Sequence, residues 1–169
     1  MIRPATLNDV NALEVLINSA YRGESSKKGW TTEADLLGGI RTDKESLKEL
    51  LLKSNATLLV LESEIGLAGC VYLEIQGNAL YLGMLTVSPE LQNAGIGKKL
   101  MLAAEGFARQ HSLPKITMTV ISVRHELIAW YERHGYQKTG ERKPFPMNDP
   151  KFGLPKQFLE FVVMEKNVF

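Results

Sequence analysis

The sequence predicts an α/β fold in a single domain, residues 1–169: a mixed, mostly antiparallel twisted sheet flanked by helices. Three observations carry that expectation. Between Thr57 and Val87, three segments rich in strand formers follow one another across short polar turns, the pattern of an antiparallel meander. From Leu80 to Ala108 an apolar segment runs into a glycine-bearing turn. Beyond it, residues spaced three and four apart mark one face of a helix. Lys115 to Val120 then alternates as a further strand, which a helical crossover places parallel to the strand before it.

The elements follow in order. Ile2 to Ala5 suits a short edge strand, where Pro4 is tolerated. Thr6 reads as an N-cap with Asp9 as its capping-box partner, ahead of the stripe Val10, Leu13, Leu16, Ile17 and Ala20. Tyr21 to Trp30 breaks the period, with two glycines and mixed charge, and reads as a loop. Thr31 or Thr32 would cap a short helix through Glu33, Leu36, Leu37 and Ile40. Asp43 would cap another through Leu47, Leu50 and Leu51. Thr57 to Glu62, Leu67 to Ile75 and Leu80 to Val87 are the meander strands, the last stopped by Ser88-Pro89. The following helix carries Leu100, Met101, Ala104, Phe107 and Ala108 and ends before Leu113-Pro114. A further helix spans about His125 to His134 and is closed by Gly135 at C′. Tyr136 to Arg142 and Phe158 to Lys166 are the final strands. They are joined by a long segment, Lys143 to Gln157, that holds four prolines.

Composition narrows the function. At 169 residues the chain is long enough for a core without a disulfide or metal staple. A net charge of +1 lacks the basic surplus a nucleic-acid binder needs. The single cysteine, Cys70, sits in an apolar run and reads as buried packing in a reducing compartment. The start Met1-Ile2-Arg3-Pro4 lacks the order of a signal peptide, and no apolar run approaches a membrane span. The expectation is therefore a cytoplasmic protein without membrane partners. His111, His125 and His134 have no ligand spacing, so no metal is expected.

Chemistry concentrates after Val87. A strand, then Gln92-Asn93-Ala94-Gly95-Ile96-Gly97-Lys98-Lys99, then a helix N-terminus make an anion cradle. Gly95 and Gly97 remove side chains that would hold a phosphate off the backbone, and Lys98 or Lys99 adds charge. A Walker A loop is excluded: Gln92 stands where its first glycine belongs, and Lys99 where Ser or Thr follows the lysine. A dinucleotide fingerprint is excluded by Leu100 at its third glycine position.

Gln92 to Gly97 resembles the Gln/Arg-x-x-Gly-x-Gly/Ala signature of the GCN5-related N-acetyltransferases, the GNAT superfamily. Leu85 to Glu90 before it, Lys98 to Leu100 after it, and the opening Ile2 to Thr6 are typical of that family too. Trp130-Tyr131-Glu132-Arg133-His134-Gly135-Tyr136 resembles its late Leu-Tyr-x-x-x-Gly-Phe block. The resemblance implies transfer of an acetyl group from acetyl-CoA to a primary amine, on a sheet whose central parallel strands splay to admit CoA. The amides of Gln92, Asn93, Ala94, Gly95, Ile96, Gly97 and Lys98 would bind the CoA pyrophosphate. The backbone of Leu85, Thr86 and Val87 would pair with the pantetheine arm, and an N–H there would meet the developing oxyanion. Tyr131 matches the family's general acid. Arg124 replaces an asparagine often found there, and an arginine cannot accept a hydrogen bond; it would meet a phosphate or an acidic group instead.

Two carboxylates, Glu74 and Glu33, stand as alternatives for a base, and each also reads as a surface charge. Tyr21, Arg22, Trp30 and Thr31 form a candidate acceptor flap, with Arg22 and Arg41 suited to a carboxylate. This favours a small-molecule, amino-acid-like amine acceptor over a protein N-terminus or lysine. A non-catalytic acyl-CoA-binding module is the rival reading. Homodimers are common in the family.

Overall fold

Local sequence choices set the elements, and the computed structural model describes them over residues 1–21, 34, 37–38, 41–91, 94–145 and 154–169. Thr6 and Asp9 form the expected capping box around a 3-10 turn, Leu7–Asp9, which leads into α1 (Val10–Tyr21). The Asp43 side chain accepts from the Ser46 amide and opens α2 (Lys44–Leu52). The long helix α3 (Ile96–Gln110) and the shorter α4 (His125–Arg133) complete the helices among the described residues.

The strands are β1 (Ile2–Pro4), β2 (Leu37–Gly38), β3 (Ala56–Ser63), β4 (Gly66–Gln76), β5 (Ala79–Val87), β6 (Lys115–Ile121), β7 (Gln137–Pro144), β8 (Leu154–Pro155) and β9 (Glu160–Asn167). Seven of them form one sheet in the order β1-β3-β4-β5-β6-β9-β7, while β2 and β8 pair separately. The meander β3-β4-β5 is antiparallel, and β5 and β6 run parallel around α3, as the crossover requires. The mixed sheet flanked by helices is thus the fold expected.

Two expectations are corrected. Leu37, read as part of a short helix, lies in β2, paired with Pro155 of β8. The proline-rich segment is not all connection: Pro144 ends β7, and Pro155 lies in β8. Proline is compatible with such strand ends and edges, where its missing N–H is not needed.

Two apolar cores sandwich the sheet. On one face α3 and α4 bring Leu100, Met101, Ala104, Leu127 and Tyr131 against Val71, Leu80, Leu82 and Met118. On the other, Leu13, Ile17 and Ala20 of α1 and Leu47 of α2 pack on Leu58, Val60 and Cys70. Each fully buried leucine contributes about 1.5–3 kcal/mol, which fixes the helices on their faces. Gly69 on β4 lets α3 approach closely. A Cβ there would stand 2.7 Å from the Thr86 carbonyl oxygen and 2.9 Å from Ile96 Cγ2. Among the described residues no helix is long and apolar enough to cross a membrane.

Two irregularities prepare the site. The parallel register of β5 and β6 holds only at Ala79–Lys115, Leu80–Ile116 and Tyr81–Thr117. Beyond Tyr81 each strand keeps its outer partner, β4 or β9, so the sheet splays between them. Opposite β4, the register jumps from Tyr72–Gly83 to Cys70–Thr86, which sets Met84 and Leu85 against Val71 alone. This is a β-bulge, and Met84 adopts φ 49°, the left-handed region, at about 1–2 kcal/mol for a residue with a Cβ.

Candidate active site

The splay opens onto a cavity of about 310 Å³ lined from both faces of the sheet. From the α3/α4 face come Leu85, Leu127 and Tyr131; from the α1/α2 face come Tyr21 and Arg41. Tyr81, Phe145 and Phe161 add aromatic walls, and Arg124 stands at its edge, just before α4.

The end of α4 holds Tyr131 in place. Gly135, at φ 93°, lets the Gly135 amide donate to the Glu132 carbonyl at 3.0 Å and the Tyr136 amide to the Tyr131 carbonyl at 3.1 Å. These two bonds are a Schellman cap, the function expected of Gly135. The same cap brings the Tyr136 ring edge-on to the Tyr131 ring, with centroids 5.9 Å apart, fastening the cavity tyrosine from behind. Burial pushes the Tyr131 phenol well above its usual range, and the Arg124 guanidinium works the other way. The phenol therefore stays protonated near neutrality. Among the described residues its hydroxyl has no hydrogen-bond partner, so it remains available as a donor into the cavity.

Beside β5, the start of α3 carries the part of the expected anion cradle from Ala94 onward. Gly95 is the N-cap at φ 73° and supplies no side-chain acceptor, and the Lys99 amide closes the first turn on the Gly95 carbonyl at 3.0 Å. Among the described residues the first-turn amides of Ile96, Gly97 and Lys98 have no side-chain cap, which suits an incoming anion. Among the described residues nothing stands within 4 Å of where a Gly95 Cβ would be. Ile96 and Gly97 are buried against the sheet, while Ala94, Gly95 and Lys98 face outward.

Of the residues singled out in the sequence, Tyr21, Arg41, Leu85, Arg124 and Tyr131 meet at the cavity. Thr86 and Val87 do not line it: Val87 packs in the α3 core, and Thr86 is fully buried with its hydroxyl on the Met84 carbonyl. Glu74 stands elsewhere, held by the Lys53 ammonium at 2.9 Å, the Tyr72 hydroxyl at 2.5 Å and the Gln76 amide at 2.7 Å. Those donors, Tyr72 foremost, lower its pKa to about 2, which suits a structural ion pair far better than a base. Cys70 is buried packing, its thiol pushed up to about 12 by burial. Arg22, Trp30, Thr31, Glu33, Gln92 and Asn93 lie outside the described residues.

The aromatic walls Tyr81, Phe145 and Phe161 were not foreseen. Nor was the bulge, although the alternation Leu80, Leu82 slips by one residue to Leu85, Val87, which is its trace in the sequence.

Comparison with known proteins accords with this geometry. The family profile described as "Acetyltransferase (GNAT) domain" matches residues 34–145. Human N-acetyltransferase 8B is 27% identical over 123 residues, covering 69% of this chain and 53% of its own length. Mouse N-acetyltransferase family 8 member 3 is 25% identical over 119 residues, covering 66% and 53%. The match thus spans about half the length of these curated relatives. The crystal structure of ribosomal-protein-alanine N-acetyltransferase from Brucella melitensis superposes with TM-score 0.73 at 22% identity, covering 99% of both chains. That of PaiA N-acetyltransferase from Thermoplasma acidophilum in complex with coenzyme A gives 0.70 at 20%, covering 99% of this chain and 98% of that one. At these identities the two structures share the fold.

Proposed function

The chain belongs to the GNAT acetyltransferase family, and from that premise we propose that it transfers an acetyl group from acetyl-CoA to the primary amine of a small, amino-acid-like acceptor. The observation that carries this reading is the cavity at the splay, which the bulged strand and Tyr131 line together. The pyrophosphate sits on the first-turn amides of α3 and the pantetheine arm runs along the freed edge of β5. The thioester thereby reaches the cavity beside Tyr131.

The chemistry follows from those positions. The neutral amine nitrogen forms a bond to the thioester carbon, and the carbonyl oxygen takes up negative charge against a backbone N–H near Leu85. On collapse the C–S bond breaks. Tyr131 passes its proton to the departing sulfur, and the nitrogen releases one to solvent water, from which the phenol is reprotonated. Glu74 takes no part in this proposed relay: it does not line the cavity and is tied to Lys53.

Acceptor class is read from charge. The described lining carries two arginines, Arg41 and Arg124, and no carboxylate. Such a pocket favours an acceptor that brings its own carboxylate together with an apolar or aromatic group for Tyr81, Phe145 and Phe161.

Thiol release over a panel of amines tests the proposal. Amino acids with large side chains should turn over, and Tyr131→Phe should lower kcat by about 100-fold or more with KM for acetyl-CoA little changed. Acetyl-CoA binding without turnover of any amine would support a binding module instead. Turnover confined to peptide N-termini or lysines would overturn the acceptor class.

A further inference from the structure

We infer that Thr86 is a positioning residue for the transfer reaction: its buried hydroxyl holds the Met84 peptide so that the Leu85 N–H faces the splayed cavity. The inference rests on the acetyl-transfer reading above and names which side chain of this protein sets up its oxyanion donor.

The Thr86 hydroxyl donates to the Met84 carbonyl oxygen at 2.8 Å, and the Cys70 thiol of β4 lies 3.9 Å from the same oxygen. That carbonyl is therefore drawn toward β4 and the α1/α2 face. In a planar trans peptide the carbonyl of one residue and the N–H of the next point in opposite directions. Pinning the Met84 oxygen toward β4 consequently turns the Leu85 N–H the other way, toward the side from which β6 has departed. Leu85 lines the cavity there, on the face that also carries Tyr131.

The clamp is needed because Met84 sits at φ 49°, a conformation that a residue with a Cβ leaves readily unless held. Thr86 itself is completely buried and outside the cavity lining, so its hydroxyl acts through the peptide and not on a ligand. A valine would keep its shape and lose the donor.

The test compares Thr86→Val and Thr86→Ser with wild type. Thr86→Val should lower kcat at least 10-fold while KM for acetyl-CoA stays within twofold, and Thr86→Ser should restore most of the loss. Equal kcat in all three proteins overturns the inference. If Thr86→Val does not fold, Thr86→Ala replaces it. A second readout needs no acceptor: in ¹⁵N-leucine protein, the Leu85 amide proton should move downfield when CoA is exchanged for acetyl-CoA. It should do so in wild type and Thr86→Ser but not in Thr86→Val or Thr86→Ala. An unmoved Leu85 amide in wild type, or the same movement in all variants, overturns the inference. The predicted shift pattern without turnover of any amine sinks the transfer reading and leaves the clamp standing.

Discussion

The Tyr21 hydroxyl donates a hydrogen bond to the Leu85 carbonyl, sixty-four residues along the chain, and so ties the last turn of α1 to the bulged strand. The bond is buried, and it sits where β5 has lost β6 as a neighbour. Above the same ring the Arg41 guanidinium lies 5.4 Å from the centroid. Tyr21→Phe keeps the ring beneath Arg41 and leaves a buried carbonyl short of a donor. The expected cost is about 1–3 kcal/mol. At roughly 2–4 °C per kcal/mol for a protein of this size, thermal melts should show a fall of several degrees. An unchanged melting temperature would mean that the carbonyl finds another donor.

Arg41 should govern which amines are accepted. Among the described residues its guanidinium has the Tyr21 ring and no carboxylate beside it, and it lines the cavity. Replacing it by methionine keeps the apolar stem and removes the charge. KM for an amino-acid acceptor should rise about 10-fold or more, the worth of a charge-assisted hydrogen bond. KM for the corresponding decarboxylated amine should stay near wild type. Parallel rises for both acceptors would assign Arg41 to pocket structure.

Gly69→Ala tests the packing of α3. The added methyl would meet the Thr86 carbonyl oxygen at 2.7 Å and Leu100 Cδ1 at 3.0 Å, and the backbone oxygen cannot swing aside as a flexible side chain would. Overpacking of this kind costs about 1–3 kcal/mol. Urea denaturation should show a lower midpoint with an unchanged slope. A wild-type midpoint would show that β4 and β5 shift together at no cost.

Acid should erode stability through two carboxylates. The Arg3 guanidinium, with two bonds of 2.8 and 2.9 Å, lowers the Asp9 pKa to about 2, and Tyr72 with Lys53 does the same for Glu74. Both folded-state values lie below the ordinary carboxylate range of about 4. Their stabilisation is therefore complete above about pH 4 and is lost as pH falls through about 2. Urea midpoints at pH 7, 4 and 2.5 should be level between the first two and drop at the third. A double variant, Asp9→Asn with Glu74→Gln, should start lower and fall less. A flat wild-type profile down to pH 2.5 would remove these two groups as the cause.

What could be read ahead of the structure was what local chemistry determines. The Thr6–Asp9 box, the Asp43 cap and the Gly135 terminator each depend on neighbours within a few residues, and each forms as expected. The meander and the parallel crossover follow from apolar period and handedness, and they too are present. The bulge depends on which residue of β4 faces which residue of β5, a long-range choice that the Leu82-to-Leu85 slip hints at without fixing. The aromatic walls at Tyr81, Phe145 and Phe161 come from three separate strands or their ends, and no spacing in one dimension brings them together. In the sequence Glu74 is one of two alternatives for a base, and it reads equally as a surface charge. Its partners Lys53 and Tyr72 weigh against the base, and only the fold supplies Lys53.

The extra residue at Met84 also behaves as a reading frame for the strand. Ahead of it, the even-numbered Leu80 and Leu82 enter the α3 core; after it, the odd-numbered Leu85 and Val87 do. Straightening the strand here with every residue kept would restore unbroken alternation and invert every side chain that follows. Thr86 would then turn into the apolar core while Leu85 and Val87 turned to the opposite face. The core would lose its register in the same event that straightened the site, so the packing of α3 guards the irregular backbone from which the proposed chemistry is built.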